Sequence, residues 1–536
     1  RGGARDLLAL LELEPGHRFA LARLASLFFD DEQFQRAEAL YRRYFDRCDD
    51  RDEKCDALLK LVACGKTLNC LEPAAEACQQ FLDLWPDDID VWEISVGLQE
   101  KLGDHEAAVA ALEKYAALQE TPEMQAQSYA RAAKLLQADE PDAAKAHLVK
   151  AHDLAPTDID ILGQLRSVCV AQGADGEVRQ ALDRCQDDLW EALSDDGLSV
   201  ETIGKIMQVA EWSEDQHRLF TALGVLGFLG GSSASEEQLY QRRVELMRLK
   251  PGREIPAGRV HDALTLPPIS SGLTAVWRCI SFAMPKLFPD TVPGTPEMAG
   301  VEASEARLMR NSGGPASAAI LQIAALLNVG EFDIYLSRNK PDIVTGICTE
   351  KYRALVVGHA VVSSMGAEQR FHAGRHLALL RDDAAALAIL PRAEIESVIA
   401  AAIRLAAPKT TIPQCRDVPS RLVDRLEQAL SRKKRKTLLG LVGELDTGSL
   451  DIGGWLDALL FGANRSGLLV CGDIRAALDL VGAVGESESA QVKPSPDDKD
   501  LAESALRQLK QNPQAVDLMR FAFSREHADL RRALGI

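Results

Sequence analysis

Three segments of this chain end alike. LLELEPGH, FLDLWPDD and HDLAPTD each close an apolar helical run with a proline, at Pro15, Pro86 and Pro156. The gaps between these prolines are each close to twice 34 residues, so a helical unit of about that length recurs, with a weaker copy inside each gap. This constrains the fold more than any other feature. A short two-helix unit cannot bury its apolar face alone and has to stack against the next copy.

The small and large positions follow in order. The first unit reads Leu21, Leu24, Ala25, Phe28, Ala37, Tyr41 and Tyr44, and the next helix end gives Ala74, Cys78, Phe81 and Pro86. A third reads Trp92, Gly103, Ala108, Leu112 and Tyr115; a fourth Ala132, Leu135, Ala144, Leu148, Ala151 and Pro156; a fifth Leu162, Leu165, Gly173, Leu182 and Cys185. Alanines and glycines on one helix admit large side chains from its antiparallel neighbour. The pattern resembles tetratricopeptide (TPR) repeats over roughly residues 1–190. Helical stretches from Val200 to Glu211 and Gln216 to Gly227 are expected to extend the array to about residue 250. The resemblance implies an α-solenoid that holds a protein or peptide in its groove, with Trp92, Tyr115 and Tyr129 as candidate lining residues.

The stretch LKPGREIPAGRVHDALTLPPISSG breaks helical periodicity with its prolines and reads as a connection over residues 251–270. Beyond it, Thr274–Phe288 and Ala316–Val329 read as helices. FDIYL, IVTGIC and ALVVG (332–336, 343–348 and 354–358) are short β-branched runs split by turn residues, which predicts a small antiparallel sheet. A buried helix over Gly366–Leu380 follows.

The phrases GAEQRFHAGRHLALL and GANRSGLLVCGD, in this strand-to-helix order, resemble zinc metallopeptidases of the M48 family over residues 266–480. Such enzymes hold zinc with two histidines at i and i+4 of an HExxH helix, the glutamate between them activating water. With Gly374 set at the glycine before that motif, Arg375 stands at the first histidine, His376 at the glutamate and Leu379 at the second histidine. A phrase like ADRxGL is ANRSGL here, which puts Leu460 at the third ligand and Asn464 at the supporting aspartate. Arginine repels a cation and leucine has no lone pair. The resemblance therefore implies an α+β pseudo-metallopeptidase domain over residues 271–536 that has kept its core and lost its reaction. The competing reading is a hydrolase with a rearranged metal site, since His372 and His376 also stand at i and i+4 and His359 closes a nearby strand.

Composition narrows the rest. A net charge of -19, from 61 basic and 80 acidic residues, opposes a general nucleic-acid or anionic-membrane surface. The basic run SRKKRK at Ser431–Lys436 reads as the solvated end of a helix. No apolar run approaches the roughly 20 residues of a membrane span. The eleven cysteines form no CxxC pair and read as reduced core thiols. The chain opens on Arg1 and is expected to belong to a longer protein. The expectation as a whole is a mostly α cytoplasmic scaffold, with no cofactor: a TPR-like solenoid followed by the pseudopeptidase domain.

Overall fold

The computed structural model describes residues 2–194, 198–246, 260, 263–264, 266, 270–302, 307–308, 314–408, 418–446, 450–482 and 499–534. They form two compact units, residues 1–189 and 190–536.

In the first unit Gly2–Leu13 is followed by helical pairs: Arg18–Asp30 with Phe34–Phe45, Arg51–Leu68 with Glu72–Leu84, Ile89–Leu102 with His105–Leu118, and Pro122–Leu136 with Pro141–Leu154. Ile159–Ala171 and the helix from Asp175 make a fifth. The repeated proline phrase has a local cause. Two residues after each proline stands the N-cap of the next helix. His17 Nδ1 accepts from Ala20 N at 3.2 Å, the Asp88 carboxylate from Val91 N at 3.2 Å, and the Asp158 carboxylate from Asp160 N and Ile161 N at 2.9 and 3.1 Å. Proline ends one helix and the cap begins the next.

Packing follows the small-to-large pattern. Ala25, Ala37, Ala74, Ala108, Ala132 and Ala144 are fully buried, which lets Phe45, Phe81 and Leu112 fill the space between helices. Successive pairs are also tied by polar contacts one repeat apart. Arg18 pairs with Glu53 across 35 residues, Arg51 with Asp88 across 37, Arg131 with Glu100 across 31, Lys145 with Glu177 across 32 and Arg184 with Asp153 across 31. Each pair links a helix to its counterpart in the next repeat. Most are exposed and screened by solvent, so they set register more than stability.

The second unit begins earlier than the expected junction near residue 250. Val200–Trp212 and Gln216–Leu229 form the expected helices and Ala234–Leu246 adds a third, but they cluster with this unit, because they pack on C-terminal helices. Gly224 and Gly227 lie where an added Cβ would meet Ile474 and Arg475, Tyr240 donates to Asp473, and Arg475 grips Glu237 with two contacts of 2.8 and 2.7 Å. The proposed connection at 251–270 lies mostly outside the described residues.

The sheet has four strands: β1 (Arg307–Leu308), β2 (Asp333–Ser337), β3 (Val344–Cys348) and β4 (Arg353–Gly358), in the order β1-β2-β4-β3. β3–β4 is antiparallel, as the short runs suggested; β1, which those runs did not include, is antiparallel to β2, whereas the central β2–β4 pair is parallel. The chain passes β4's place after β2, forms β3 at the edge, and returns through a tight hairpin to insert β4 between them. Nothing in the local sequence of β2 signals that exchange.

Helix Ala367–Arg381 lies against β3 and β4 and packs most extensively on Ile452–Cys471. Two glycines permit this. A Cβ at Gly374 would come within 2.5 Å of Val470 Cγ2 and 3.0 Å of the Gly467 Cα, and one at Gly467 within 2.8–2.9 Å of the Phe371 ring and carbonyl. The helices run antiparallel: Arg370 Nη2 reaches the Cys471 carbonyl at 3.4 Å while Gly374 meets Ser466 and Gly467. Gly374→Ala is expected to destabilise this unit by about 1–3 kcal/mol through overpacking of backbone against backbone. Denaturant unfolding of the variant checks it, and an unchanged midpoint would contradict the close approach.

A second buried contact makes stability depend on pH. His217 and His527 lie in edge contact, with ring centroids 4.9 Å apart. Burial, reinforced by Arg531, lowers His217 to about 4; burial and then His217 and Arg531 hold His527 well below the ordinary value. The unfolded histidines bind protons near pH 6.5. Between about pH 4 and 6.5 the unfolded chain therefore carries more protons, so stability is present above pH 6.5 and is lost as pH falls through this window. Replacing both with Phe should flatten the pH slope of unfolding there; an unchanged slope would assign the loss to other groups.

Candidate functional site

The face of helix Ala367–Arg381 toward the sheet carries His372, Arg375 and His376, spaced i, i+3 and i+4 so that all three side chains point one way. They line a pocket of about 500 Å³. Its other walls are the edge strand β3 at Val344 and Thr345, the Lys340–Ile343 approach to that strand, the turn at Ala388 and Ile389, and the 289–299 loop, including Val292 and Met298.

Several contacts hold these walls. Ser337 Oγ donates to the Gly300 carbonyl at 2.7 Å and accepts from Lys340 N at 3.2 Å, which fixes the loop leaving β2. Ala360 N and Gly358 N donate to the Pro341 and Ile343 carbonyls at 3.0 and 2.8 Å. Only glycine fits at Gly358, because a Cβ there would stand 1.9 Å from the Pro341 carbonyl oxygen. At the far end of the helix, Arg353 binds Asp383 at 2.8 Å and the Leu380 carbonyl at 2.9 Å, and Trp277 Nε1 donates to the Asp383 carbonyl at 3.1 Å. The helix is therefore clamped at its C-terminal end and wedged at its centre.

The electrostatics are unusual. Arg375 makes no ion pair among the described residues, its Nε is buried without a hydrogen-bond partner, and burial alone lowers its pKa below the ordinary arginine value. His376 Nδ1 is likewise buried and unpartnered. Burial first, then Arg375 and His372, push His376 down to about 3; burial and then Arg375 also lower His372. At neutral pH the pocket's inner wall thus carries two neutral imidazoles and one fixed positive charge. Asp290, Lys340 and Asp342 stand exposed at the rim.

Of the five positions aligned with the peptidase motif, Arg375 and His376 face this pocket, while Leu379, Leu460 and Asn464 do not line it. Leu379 is buried in the core, and Asn464 is turned to the helix Pro513–Phe523, where its Nδ2 donates to Gln514 Oε1 at 2.9 Å. The alternative metal trio is not assembled. His372 and His376 have ring centroids 6.4 Å apart, but His359 starts the helix His359–Ser364 and does not line the pocket. The guanidinium between the two imidazoles would also repel a cation. Sequence reasoning treated Arg375 only as a lost ligand. Its spacing with His372 and His376 was visible, whereas the wall facing them depends on the edge placement of β3.

In the first unit the candidate binding aromatics sit on successive helices. Trp92 is half-buried and its Nε1 donates to the Pro86 carbonyl at 2.7 Å, closing the turn before its own helix while the ring packs near Val96 and Leu112. Tyr129 stacks on His147 at 6.0 Å, with Lys150 Nζ 5.5 Å from its ring. Tyr115 is half-buried. Trp92 thus has a structural task, and Tyr129 and Tyr115 keep open surface. The basic run lies at the start of Arg432–Gly443, where Arg435 pairs with Glu427 at 2.9 Å and Lys434 covers the Phe282 ring at 4.5 Å. Two of its cations are already engaged.

No protein-family model and no curated protein matches the chain. Solved structures similar to part of it include the MamA protein, at 17% identity over 34% of this chain and 96% of that one, with a TM-score of 0.24. YrrB, described as a TPR protein with an unusual peptide-binding site, covers 34% of this chain and 92% of its own at 14% identity and a TM-score of 0.23. PilF of Pseudomonas aeruginosa covers 42% and 97% at 16% identity and a TM-score of 0.22. Likeness at this level says nothing of what the chain binds. The paired helices, caps and one-repeat ion pairs carry the description of the first unit as a TPR-like array.

Among the described residues no group of three His, Cys, Asp or Glu side chains is placed to hold a metal ion. Elemental analysis of the purified chain is expected to find zinc well below one per chain, unchanged by His372→Ala. Stoichiometric zinc lost in that variant would reinstate the rearranged metal site.

Proposed function

We propose that this chain is a non-catalytic protein-binding scaffold of the cytoplasm. Its TPR-like array captures a protein or peptide segment, and its second unit is a pseudopeptidase domain serving as another docking surface. The observation that carries the reading is the array itself: stacked helical pairs build an extended surface in which each helix adds a few side chains, the arrangement by which solenoids bind extended partners. Tyr129 and Tyr115, both half-buried, are its candidate aromatic contacts. No nucleic acid is required by this reading, and among the described residues no helix is long and apolar enough to cross a membrane.

For the second unit, the support is chemical. In the aligned phrase Arg375 and Leu379 stand in place of the two histidines, and the helix bearing them is the centre of the packing, although Leu379, Leu460 and Asn464 do not share the pocket that Arg375 faces. A core of this kind persists without its metal when the protein uses its surfaces.

Affinity purification with the full chain, followed by partner identification, tests the reading. A protein partner recovered reproducibly and weakened about tenfold or more by Tyr129→Ala, at unchanged thermal stability, is expected, since central aromatic contacts contribute about 2 kcal/mol or more. Failure to recover any partner, or recovery indifferent to substitutions at both Tyr115 and Tyr129, would sink it.

A further inference from the structure

We propose that the pocket between helix Ala367–Arg381 and the edge strand β3 is a receptor for a small monocarboxylate with an aliphatic body, its carboxylate held by Arg375. The inference stands apart from the scaffold reading, because it concerns the second unit's own pocket and needs no partner on the array.

Three observations converge. Arg375 is half-buried, its Nε enclosed without a partner, and a cation so placed gains by pairing with an anion. Arg375 has no carboxylate partner among the described residues, yet its side chain borders open volume instead of solid core. The open volume lets an anion from outside the chain reach it. Its neighbours supply donors without further charge: His376, with an unpartnered buried Nδ1, follows it in the chain, and His372 stands three residues before it, both lining the same pocket.

Charge count then selects the ligand. With both imidazoles neutral, the inner wall presents a single positive charge, which matches a monoanion; a phosphate dianion would retain an unbalanced negative charge. The guanidinium fork also suits the planar carboxylate, taking both oxygens through parallel N–H donors. Beyond the cation the lining turns apolar at Val292, Met298, Ile343, Val344 and Ile389, so the remainder of the ligand is hydrocarbon. A volume of about 500 Å³ accommodates a short chain. At the mouth the two carboxylates of Asp290 and Asp342 outnumber the one cation of Lys340, and this net negative rim disfavours a second anionic group.

Calorimetric titration of the full chain with hexanoate, hexanamide and inorganic phosphate at constant ionic strength tests this, with unfolding temperatures measured alongside. Hexanoate is expected to bind saturably and to raise the unfolding temperature. Hexanamide and phosphate should bind at least about tenfold more weakly. Arg375→Met should lose hexanoate binding by about tenfold or more while unfolding at a higher temperature than the unliganded wild type, because an unpaired buried charge has been removed. Arg375→Lys, which keeps the charge and loses the fork, should retain weakened binding; it also serves if Arg375→Met does not fold. Absence of hexanoate binding, equal affinity for hexanamide or phosphate, or undiminished binding in both variants would overturn the proposal.

Discussion

The contact between Gly374 and Gly467 is the one on which the second unit depends. It lets two helix backbones meet where any side chain on either would intrude, with Phe371 and Val470 closing over the gap. Once helix Ala367–Arg381 is set this deep on Ile452–Cys471, its remaining face is committed to the sheet. That commitment turns His372, Arg375 and His376 toward β3. The clamp from Arg353 and Trp277 at Asp383 then fixes how far the helix can slide. Site and core are thus one piece of geometry, and the charge that looks misplaced on a core helix is a consequence of how that helix is wedged.

The first unit solves a different problem by repetition. Each helical pair leaves an apolar face, and buried alanines at matching positions let the next pair cover it. The cap two residues after each proline restarts the helix in the same orientation each time. Its charge pairs recur at about the repeat length because equivalent helices lie side by side. No single contact dominates, so stability accumulates from neighbour to neighbour.

This difference explains what was legible in the sequence. The array was visible because its physics repeats: Pro15, Pro86 and Pro156 mark the same helix end, and Ala37, Ala74, Ala108 and Ala144 are buried on the second helix of successive pairs. The core helix of the second unit was also visible, with Gly374 and the ANRSGL phrase carrying it. The parallel pairing of β2 with β4 was not, because strand order is decided by contacts far apart in sequence. Nor was the allegiance of Val200–Trp212, Gln216–Leu229 and Ala234–Leu246, whose periodicity matches a repeat helix equally well. Contacts such as Gly224 on Ile474, Tyr240 on Asp473 and Arg475 on Glu237 reveal where they belong. The turn closed by the Trp92 indole N–H on the Pro86 carbonyl was not visible either, since no spacing rule discloses it.

If the two glycine-bearing helices are the structural centre of the second unit, their amides should open only when the whole unit unfolds. Native-state hydrogen exchange measures this directly. The account predicts that amides near Gly374 and Gly467 exchange last in that unit, with opening free energies equal to its global stability. Faster exchange there than in the neighbouring helix Arg392–Ala406 would contradict it.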